Sequence, residues 1–348
     1  MYTIEQLVAK AKADGASDIH LVCGLPPKYR KSGRIENMAE QRLTAEDCVA
    51  VAKFLTGKEY DKFDKIGEFD GADTFADNRC RIHLFKQQGV PSLALRLLSD
   101  RIPKLENLGL PAAVAPLTNL HKGIVLVTGE TGSGKSTTLA ALMDSINHTR
   151  YDHIVTLEDP VEYLYTPDKC IINQREVGKD TESFAAGLRA SLREDPNVIL
   201  IGEMRDQETI ATAITAAETG HLVFGTLHTG SASDSIDRIV QVFPEGAQTQ
   251  IRLQLSMTLQ AVLTQQLIPK KGGGRALAAE LMIVTDAIRN LIRAGNTPQI
   301  ANAVATSASI GGQTMDQALV QLVRKNLITK EDAIHYAHDQ NYIKKNAI

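Results

Sequence analysis

Eight residues, Gly129-Glu130-Thr131-Gly132-Ser133-Gly134-Lys135-Ser136, constrain this chain more than any other stretch. The apolar run Gly123-Ile124-Val125-Leu126-Val127-Thr128 precedes them. Thr137-Thr138-Leu139-Ala140-Ala141-Leu142-Met143 follows and reads as a helix. Strand, glycine-rich turn and helix, in that order, are the setting of a phosphate-binding loop of pattern G-x-x-x-x-G-K-[ST]. The glycines let backbone N–H groups turn onto an anion, and the first helical turn adds unpaired donors and its dipole. Lys135 is expected to reach the β- and γ-phosphates of a nucleoside triphosphate, and the Ser136 hydroxyl to ligate Mg²⁺. The expected nucleotide-binding set runs from Gly129 through Thr137.

A chain of 348 residues has room for two domains with separate cores. Its 38 Lys and Arg balance 41 Asp and Glu, for a net charge of −3, which disfavours a bulk nucleic-acid binder. Cys23, Cys48, Cys80 and Cys170 are far apart and form no C-x-x-C pair. Neither a zinc site nor a disulfide framework is expected, and a reducing cytosol suits them. No basic-then-apolar segment opens the chain and no apolar run reaches about 18 residues. A soluble protein is expected, with any membrane association peripheral.

The first hundred residues mix helices and strands. Thr3-Ile4-Glu5-Gln6 reads as a capping box opening a helix to about Ala13. Ser17 to Val22 alternates as a half-buried strand, Lys28-Tyr29-Arg30 leads to a turn at Gly33, and Thr44 caps a helix to about Leu55. Gly67 to Asp73 reads as another strand. In Arg79 to Leu84 the polar residues are odd-numbered, and in Ser92 to Leu97 the apolar ones are. Gln87-Gln88-Gly89 supplies a hairpin turn between the two runs. Arg81 and Arg96 then share a face. Like charges paired across a hairpin repel unless an anion lies opposite, so the pair marks either a solvated face or a phosphate-facing one. Residues 100–120, with Pro103, Pro111 and Pro116, read as an interdomain linker containing a short helix.

Five apolar strands follow: Ile124–Val127, Ile154–Leu157, Val198–Ile201, Leu222–Leu227 and about Leu277–Val284. Apolar strands alternating with helices indicate a parallel sheet covered on both faces, with ligands beyond the carboxyl ends of its strands. The first end carries the glycine-rich loop. The second carries Glu158, Asp159 and Glu162, the third Gly202-Glu203, and the fourth His228. Glu203 occupies the Walker B place, where a carboxylate orients water or acts through Mg²⁺. Gly202 stands where an Asp is usual, which shifts metal ligation toward Ser136 and water. The acidic trio suits water activation or Mg²⁺ organisation, or else simply a helix start favoured by the dipole. His228 could sense a γ-phosphate; His221 starts the same strand and is ambiguous.

These segments resemble a known family. Gly129 to Ser136, Glu158-Asp159-Pro160-Val161-Glu162-Tyr163, Leu192 to Asp206 and Gly220 to Thr229 are similar to the Walker A, Asp box, Walker B and His box of the type II/type IV secretion ATPase superfamily. Ala287-Ile288-Arg289-Asn290-Leu291-Ile292-Arg293 resembles the signature of its pilus-retraction branch, the PilT family of twitching motility. Ala16 to Leu21 and Gly24 to Pro27 also resemble that branch. Glu130 departs from the Pro common in these loops.

The resemblance implies an α/β fold: a PAS-like α+β domain over 1–99, a linker over 100–120, a RecA-like ATPase core over 121–284 and a helical region over 285–348. It implies a ring homohexamer, ATP and Mg²⁺, a platform protein of the inner membrane as partner, and a cytoplasmic location peripheral to that membrane. It places Arg81 and Arg96 where the family keeps arginine fingers, which gives their shared face a phosphate to meet. It makes the Ala287-to-Arg293 helix an element needed for retraction. The expected activity is ATP hydrolysis driving disassembly of a type IV pilus. The nearest alternative is a pilus-assembly or type II secretion ATPase. Those relatives usually carry an extra N-terminal region and a four-cysteine zinc element, whereas this chain starts at the small domain without paired cysteines. A RecA-like nucleic-acid motor fits the charge poorly, and a non-hydrolysing accessory ring fits the complete loop poorly.

Overall fold

The structure is a computed structural model and describes residues 3–31, 33–98 and 101–347. The boundary expected between residues 99 and 100 lies outside the described residues. Two compact units are distinct: Met1–Ile102 with Pro160–Leu164, and Pro103–Asp159 with Tyr165–Ile348.

The first unit is a six-stranded sheet with three α-helices: α1 (Ile4–Ala13), α2 (Ala45–Thr56) and α3 (Tyr60–Ile66). Its strands are β1 (Ala16–Leu21), β2 (Lys28–Lys31), β3 (Arg34–Asn37), β4 (Glu68–Phe75), β5 (Asn78–Gln87) and β6 (Val90–Leu97), in the order β3-β2-β1-β6-β5-β4. Every neighbouring pair is antiparallel. Thr3 and Thr44 both form the full capping box, so α1 and α2 begin where the sequence places them. Gln88 and Gly89 both adopt positive φ, as a two-residue turn of matching twist requires, and close β5 onto β6. β3 was not anticipated: all four of its residues are exposed, so it has no periodicity to read.

The second unit is built on a seven-stranded sheet in the order β13-β12-β7-β11-β10-β8-β9. The strands are β7 (Gly123–Thr128), β8 (His153–Glu158), β9 (Ile171–Glu176), β10 (Val198–Ile201), β11 (Leu222–Leu227), β12 (Leu259–Pro269) and β13 (Arg275–Ile283). Neighbours from β12 through β9 are parallel, and β7, β10 and β11 are buried along their whole length. The five-strand expectation is therefore corrected twice. β9 and β12 are additional strands, and β13, the fifth expected one, runs antiparallel to β12. The connection explains the second point. Lys270–Gly274 is far too short for a crossover, and Gly272, Gly273 and Gly274 all take positive φ to turn a hairpin.

The helices of this unit are α4 (Lys135–Thr149), α5 (Phe184–Ser191), α6 (Gln207–Glu218), α7 (Ala232–Gln241), α8 (Glu245–Thr258), α9 (Asp286–Ala294), α10 (Ile300–Ala305), α11 (Met315–Arg324), α12 (Lys330–Tyr336) and α13 (Gln340–Asn346). Thr285, Thr314 and Thr329 cap α9, α11 and α12, as their sequence positions predict. A further helix, α13, follows α12 and is capped by Asp339. Val114 and Leu117, from the proline-bearing stretch, share a core with Leu139, Leu142 and Met143 of α4. The C-terminal helices bury Met315, Leu319, Ile328 and Ile343 together with Ile268 of β12 and Ala278 of β13. Among the described residues no helix is long and apolar enough to cross a membrane.

Candidate functional site

β7 delivers the chain to the carboxyl edge of the sheet, and the glycine-rich loop turns there into α4. Gly129 sits at φ 137°, and a Cβ on it would lie 2.4 Å from the carbonyl oxygen of Gln265 on β12. Only glycine fits a backbone so turned and so closely approached. Lys135, 9% exposed, folds back over the loop: its Nζ donates to the carbonyls of Gly129 at 2.8 Å and Glu130 at 2.9 Å. Ser136 is exposed in the first turn of α4, Thr137 is half-buried, and Ser133 is buried with its Oγ lacking any hydrogen-bond partner.

The neighbouring strand ends converge as the sheet topology requires. Glu203, immediately past β10, is mostly buried. The His228 Nε2 at the end of β11 lies 3.1 Å from its Oε1, and Arg205 pairs with the same oxygen. The Glu203 hydrogen bond holds the Arg205 guanidinium above its usual pKa range. Glu158 closes β8, where its Oε1 accepts from Thr156 Oγ1 at 2.7 Å and Gln174 Nε2 at 3.2 Å. Asp159 follows it and adds to the field at Arg205.

The Gly202 position has a steric reason. A Cβ there would come within 3.0 Å of the Leu157 carbonyl, to which Gly202 N–H donates at 2.8 Å. Thr226 Oγ1 donates to the Gly202 carbonyl from the other neighbouring strand. An aspartate would have to displace β8, so glycine here reflects close strand packing.

Not every expected residue is brought to this edge. His221 lies just before β11, at the opposite end of the strand from His228. Its Nδ1 lies 2.9 Å from the Ala216 carbonyl and 3.2 Å from Thr219 Oγ1, which makes it part of the α6–β11 connection. Six strand residues separate the two histidines, about 20 Å at the usual rise. Glu158 and Asp159 belong to the second unit, whereas Glu162 lies in Pro160–Leu164, which belongs to the first. There Arg79 Nε donates to the Val161 carbonyl at 3.1 Å.

Arg81 and Arg96, also in the first unit, stand directly opposite each other on β5 and β6. The same cross-strand row continues through Asp18 of β1 to Arg30 of β2. Arg96 Nε donates to Asp18 Oδ1 at 2.9 Å, and Arg30 Nε lies 3.8 Å from Oδ2. Burial pushes the Asp18 carboxyl up, but bonds from Ser17 and Arg96 outweigh it and hold the pKa below its usual value. The row thus carries three arginines and one carboxylate. Asp18 is the partner that the sequence pattern of two facing arginines left unidentified.

In the signature helix α9, Ile288 and Ile292 are buried and Leu291 is half-buried, while Ala287, Asn290 and Arg293 are exposed. Arg289 does not lie free beyond that apolar face. Its Nη1 donates to the carbonyls of Ser256 at 2.6 Å, Met257 at 3.2 Å and Leu259 at 3.2 Å. A guanidinium at the C-terminal end of α8 satisfies carbonyls that the helix leaves unpaired.

Sequence reasoning missed Arg205, Gln265 and Gln266. The two glutamines had a signal: with Thr264 they break the apolar run between Ala261-Val262-Leu263 and Leu267-Ile268. Arg205 had none, since its partner is set by the loop after β10.

Comparison with known proteins places this geometry in context. The type II/IV secretion system protein family matches residues 89–272. The type IV pilus retractation ATPase PilT of Pseudomonas aeruginosa is 46% identical over 332 residues, which cover 95% of this chain and 96% of that protein. A twitching motility protein of Neisseria gonorrhoeae is 48% identical over 256 residues, covering 73% of this chain and 68% of the relative. A crystal structure of the pilus retraction motor PilT with bound ADP superposes with a TM-score of 0.92 at 47% identity, covering 99% of this chain and 100% of that one.

Proposed function

The chain belongs to the type II/IV secretion system protein family, within its PilT branch, and we propose that it is a Mg²⁺-dependent ATPase motor that powers retraction of a type IV pilus. The observation that carries the chemistry is the shared edge of the second sheet, where the lysine-bearing loop, Glu203 with His228, and Glu158 come from successive parallel strands. The observation that carries the direction of work is the near-complete overlap with a pilus retraction ATPase.

The loop amides from Gly129 to Gly134, with those of Ser136 and Thr137, bind the phosphates of ATP. Lys135 moves from its carbonyl partners to the β- and γ-phosphates. Glu203 orients the attacking water and accepts its proton, and His228, bonded to Glu203, reports the γ-phosphate to the β11 end. Glu158 and Asp159 organise water beside it. Ser136 and Glu203 offer the hard oxygen donors Mg²⁺ takes, and few protein ligands suffice because this ion keeps phosphate oxygens and waters in its shell. Bound there, Mg²⁺ neutralises phosphate charge. Arg81 and Arg96 bring the cations that stabilise the transferring phosphoryl group. Since they lie outside the unit that holds the loop, turnover couples hydrolysis to movement between units. The working assembly is a homohexamer acting on a platform protein at the inner face of the cytoplasmic membrane, with α9 needed for retraction.

Deletion of the gene with complementation tests the direction of work. Cells lacking the protein should be hyperpiliated and non-motile, wild type should restore motility, and Lys135→Ala should fail to. Bald cells would overturn the retraction reading.

A further inference from the structure

In the first unit, β1 ends at Leu21 and the chain turns at Gly24, which takes φ 81°. Two backbone bonds fasten this turn to the residues ahead of α2. Gly24 N–H donates to the Leu43 carbonyl at 2.9 Å, and Leu43 N–H donates to the Leu25 carbonyl at 3.0 Å. Arg42 Nη1 adds a third bond, to the Gly24 carbonyl at 3.0 Å. Cys23 lies in the turn, and Cys48 lies at the start of α2, where its N–H donates to the Thr44 carbonyl at 3.2 Å. The fastening brings together two cysteines that are far apart in sequence.

Cys48 is 4% exposed and belongs to the core with Leu21, Leu43 and Val51. Cys23 is half-buried and packs against that same core. Burial pushes the Cys48 thiol up to about 11, and the neighbouring Cys23 thiol, hydrogen-bonded to it, adds to the rise. The other two cysteines have different partners. Cys80 Sγ donates to the Asn78 carbonyl at 3.5 Å, and Cys170 Sγ donates to the Arg150 carbonyl at 3.2 Å. The cysteines therefore divide into one pair and two separate buried thiols, a division that their spacing in sequence does not show.

We propose that Cys23 and Cys48 form a redox-responsive dithiol, which a peroxide closes into a disulfide between the β1–β2 connection and α2. The proposal does not depend on the ATPase reading. It suits a reducing compartment, where such a disulfide forms transiently in response to an oxidant. The exposures order the steps. Cys23, the thiol that solvent reaches, attacks a peroxide oxygen as the thiolate. The O–O bond breaks, hydroxide leaves, and Cys23 becomes a sulfenic acid. The Cys48 sulfur then attacks Cys23 Sγ. The S–S bond forms, the S–O bond breaks, and hydroxide leaves with the Cys48 proton as water. In sum two thiols lose two electrons and two protons, and hydrogen peroxide takes them up to become two water molecules. Cys48, kept protonated by burial, acts second, as the resolving thiol.

Thiol counting and peptide mapping of the full chain, reduced and then treated with hydrogen peroxide, test this. Wild type should lose two of its four thiols. It should yield a Cys23–Cys48 cross-link within one chain, and dithiothreitol should restore both thiols. Closing the loop restricts the unfolded chain, so the oxidised form should unfold at a higher urea concentration than the reduced one. Cys23→Ala should keep all its remaining thiols under the same treatment. Cys48→Ala should lose one, with Cys23 trapped by dimedone as the sulfenic acid. Neither variant should gain resistance to urea. Retention of all thiols by wild type, a cross-link to Cys80 or Cys170 or between chains, or sulfinic acid at Cys23 in place of the cross-link would each overturn the proposal. So would an oxidised form no more resistant to urea than the reduced one. Cys23→Ala changes the half-buried member of the pair and keeps the test decisive if the core variant fails to fold.

Discussion

At the residue scale the proposed chemistry rests on the pair Glu203–His228. The carboxylate is largely buried and shared between a histidine and Arg205, so its orientation does not depend on a single contact. General-base catalysis by a positioned side chain typically contributes about 10²–10⁴-fold. Glu203→Gln should therefore lower the ATPase kcat by about that factor while leaving nucleotide affinity within a few-fold of wild type. Steady-state hydrolysis and equilibrium binding, measured on the same preparation, separate the two quantities. A variant that lost affinity and kept kcat would assign Glu203 to ground-state binding instead.

At the scale of elements, one buried carboxylate links two helices that the sequence leaves unrelated. Glu280 of β13 is 7% exposed. Its Oε1 accepts from the backbone N–H of Ala232, the first residue of α7, at 2.8 Å. Its Oε2 accepts from Met315 N–H, the first residue of α11, at 3.3 Å. α7 begins four residues after His228, so the clasp joins the carboxyl edge of the sheet to the C-terminal helices. Burial pushes the Glu280 carboxyl above its usual pKa, against the opposing pull of the Ala232 and Met315 amides and of His338. The sign follows from that direction. A group whose pKa is raised by folding stabilises most below its unfolded value and loses that contribution as pH rises through the folded one. Glu280→Ala should cost about 2–4 kcal/mol, from the two lost backbone caps of α7 and α11. Glu280→Gln should flatten the fall of stability with rising pH, as measured by denaturant unfolding across the pH series. Arg289 is a second device of this kind, closing α8 from α9 with one guanidinium.

At the scale of the whole molecule, the arginine row Arg30–Asp18–Arg96–Arg81 and the phosphate loop belong to different compact units. If the row serves the nucleotide, Arg81→Ala with Arg96→Ala should abolish hydrolysis without weakening tripolyphosphate binding. Mixing that variant with Lys135→Ala tests whether the two defects complement each other between chains of the proposed homohexamer. Restored activity would place the arginines on a different subunit from the loop they serve, whereas no recovery at any mixing ratio would argue for action within one chain. Much of this was legible in sequence. The glycine-rich loop, the threonine caps of α1, α2, α9, α11 and α12, and the Gln88-Gly89 turn are local signals, set by the few residues that compose them. The convergence of Glu203, Glu158 and His228 also followed, because parallel strands separated by helices place their carboxyl ends together. Other features had no local signal. The edge strand β9, Asp18 as the partner of Arg96, and the Glu280 clasp depend on contacts between residues distant in the chain. Sequence by itself determined which segments are helix, strand or phosphate loop, since periodicity and capping are properties of neighbours. Only the tertiary structure decided which polar groups meet, because a buried carboxylate or guanidinium takes whichever donors and acceptors packing leaves unpaired.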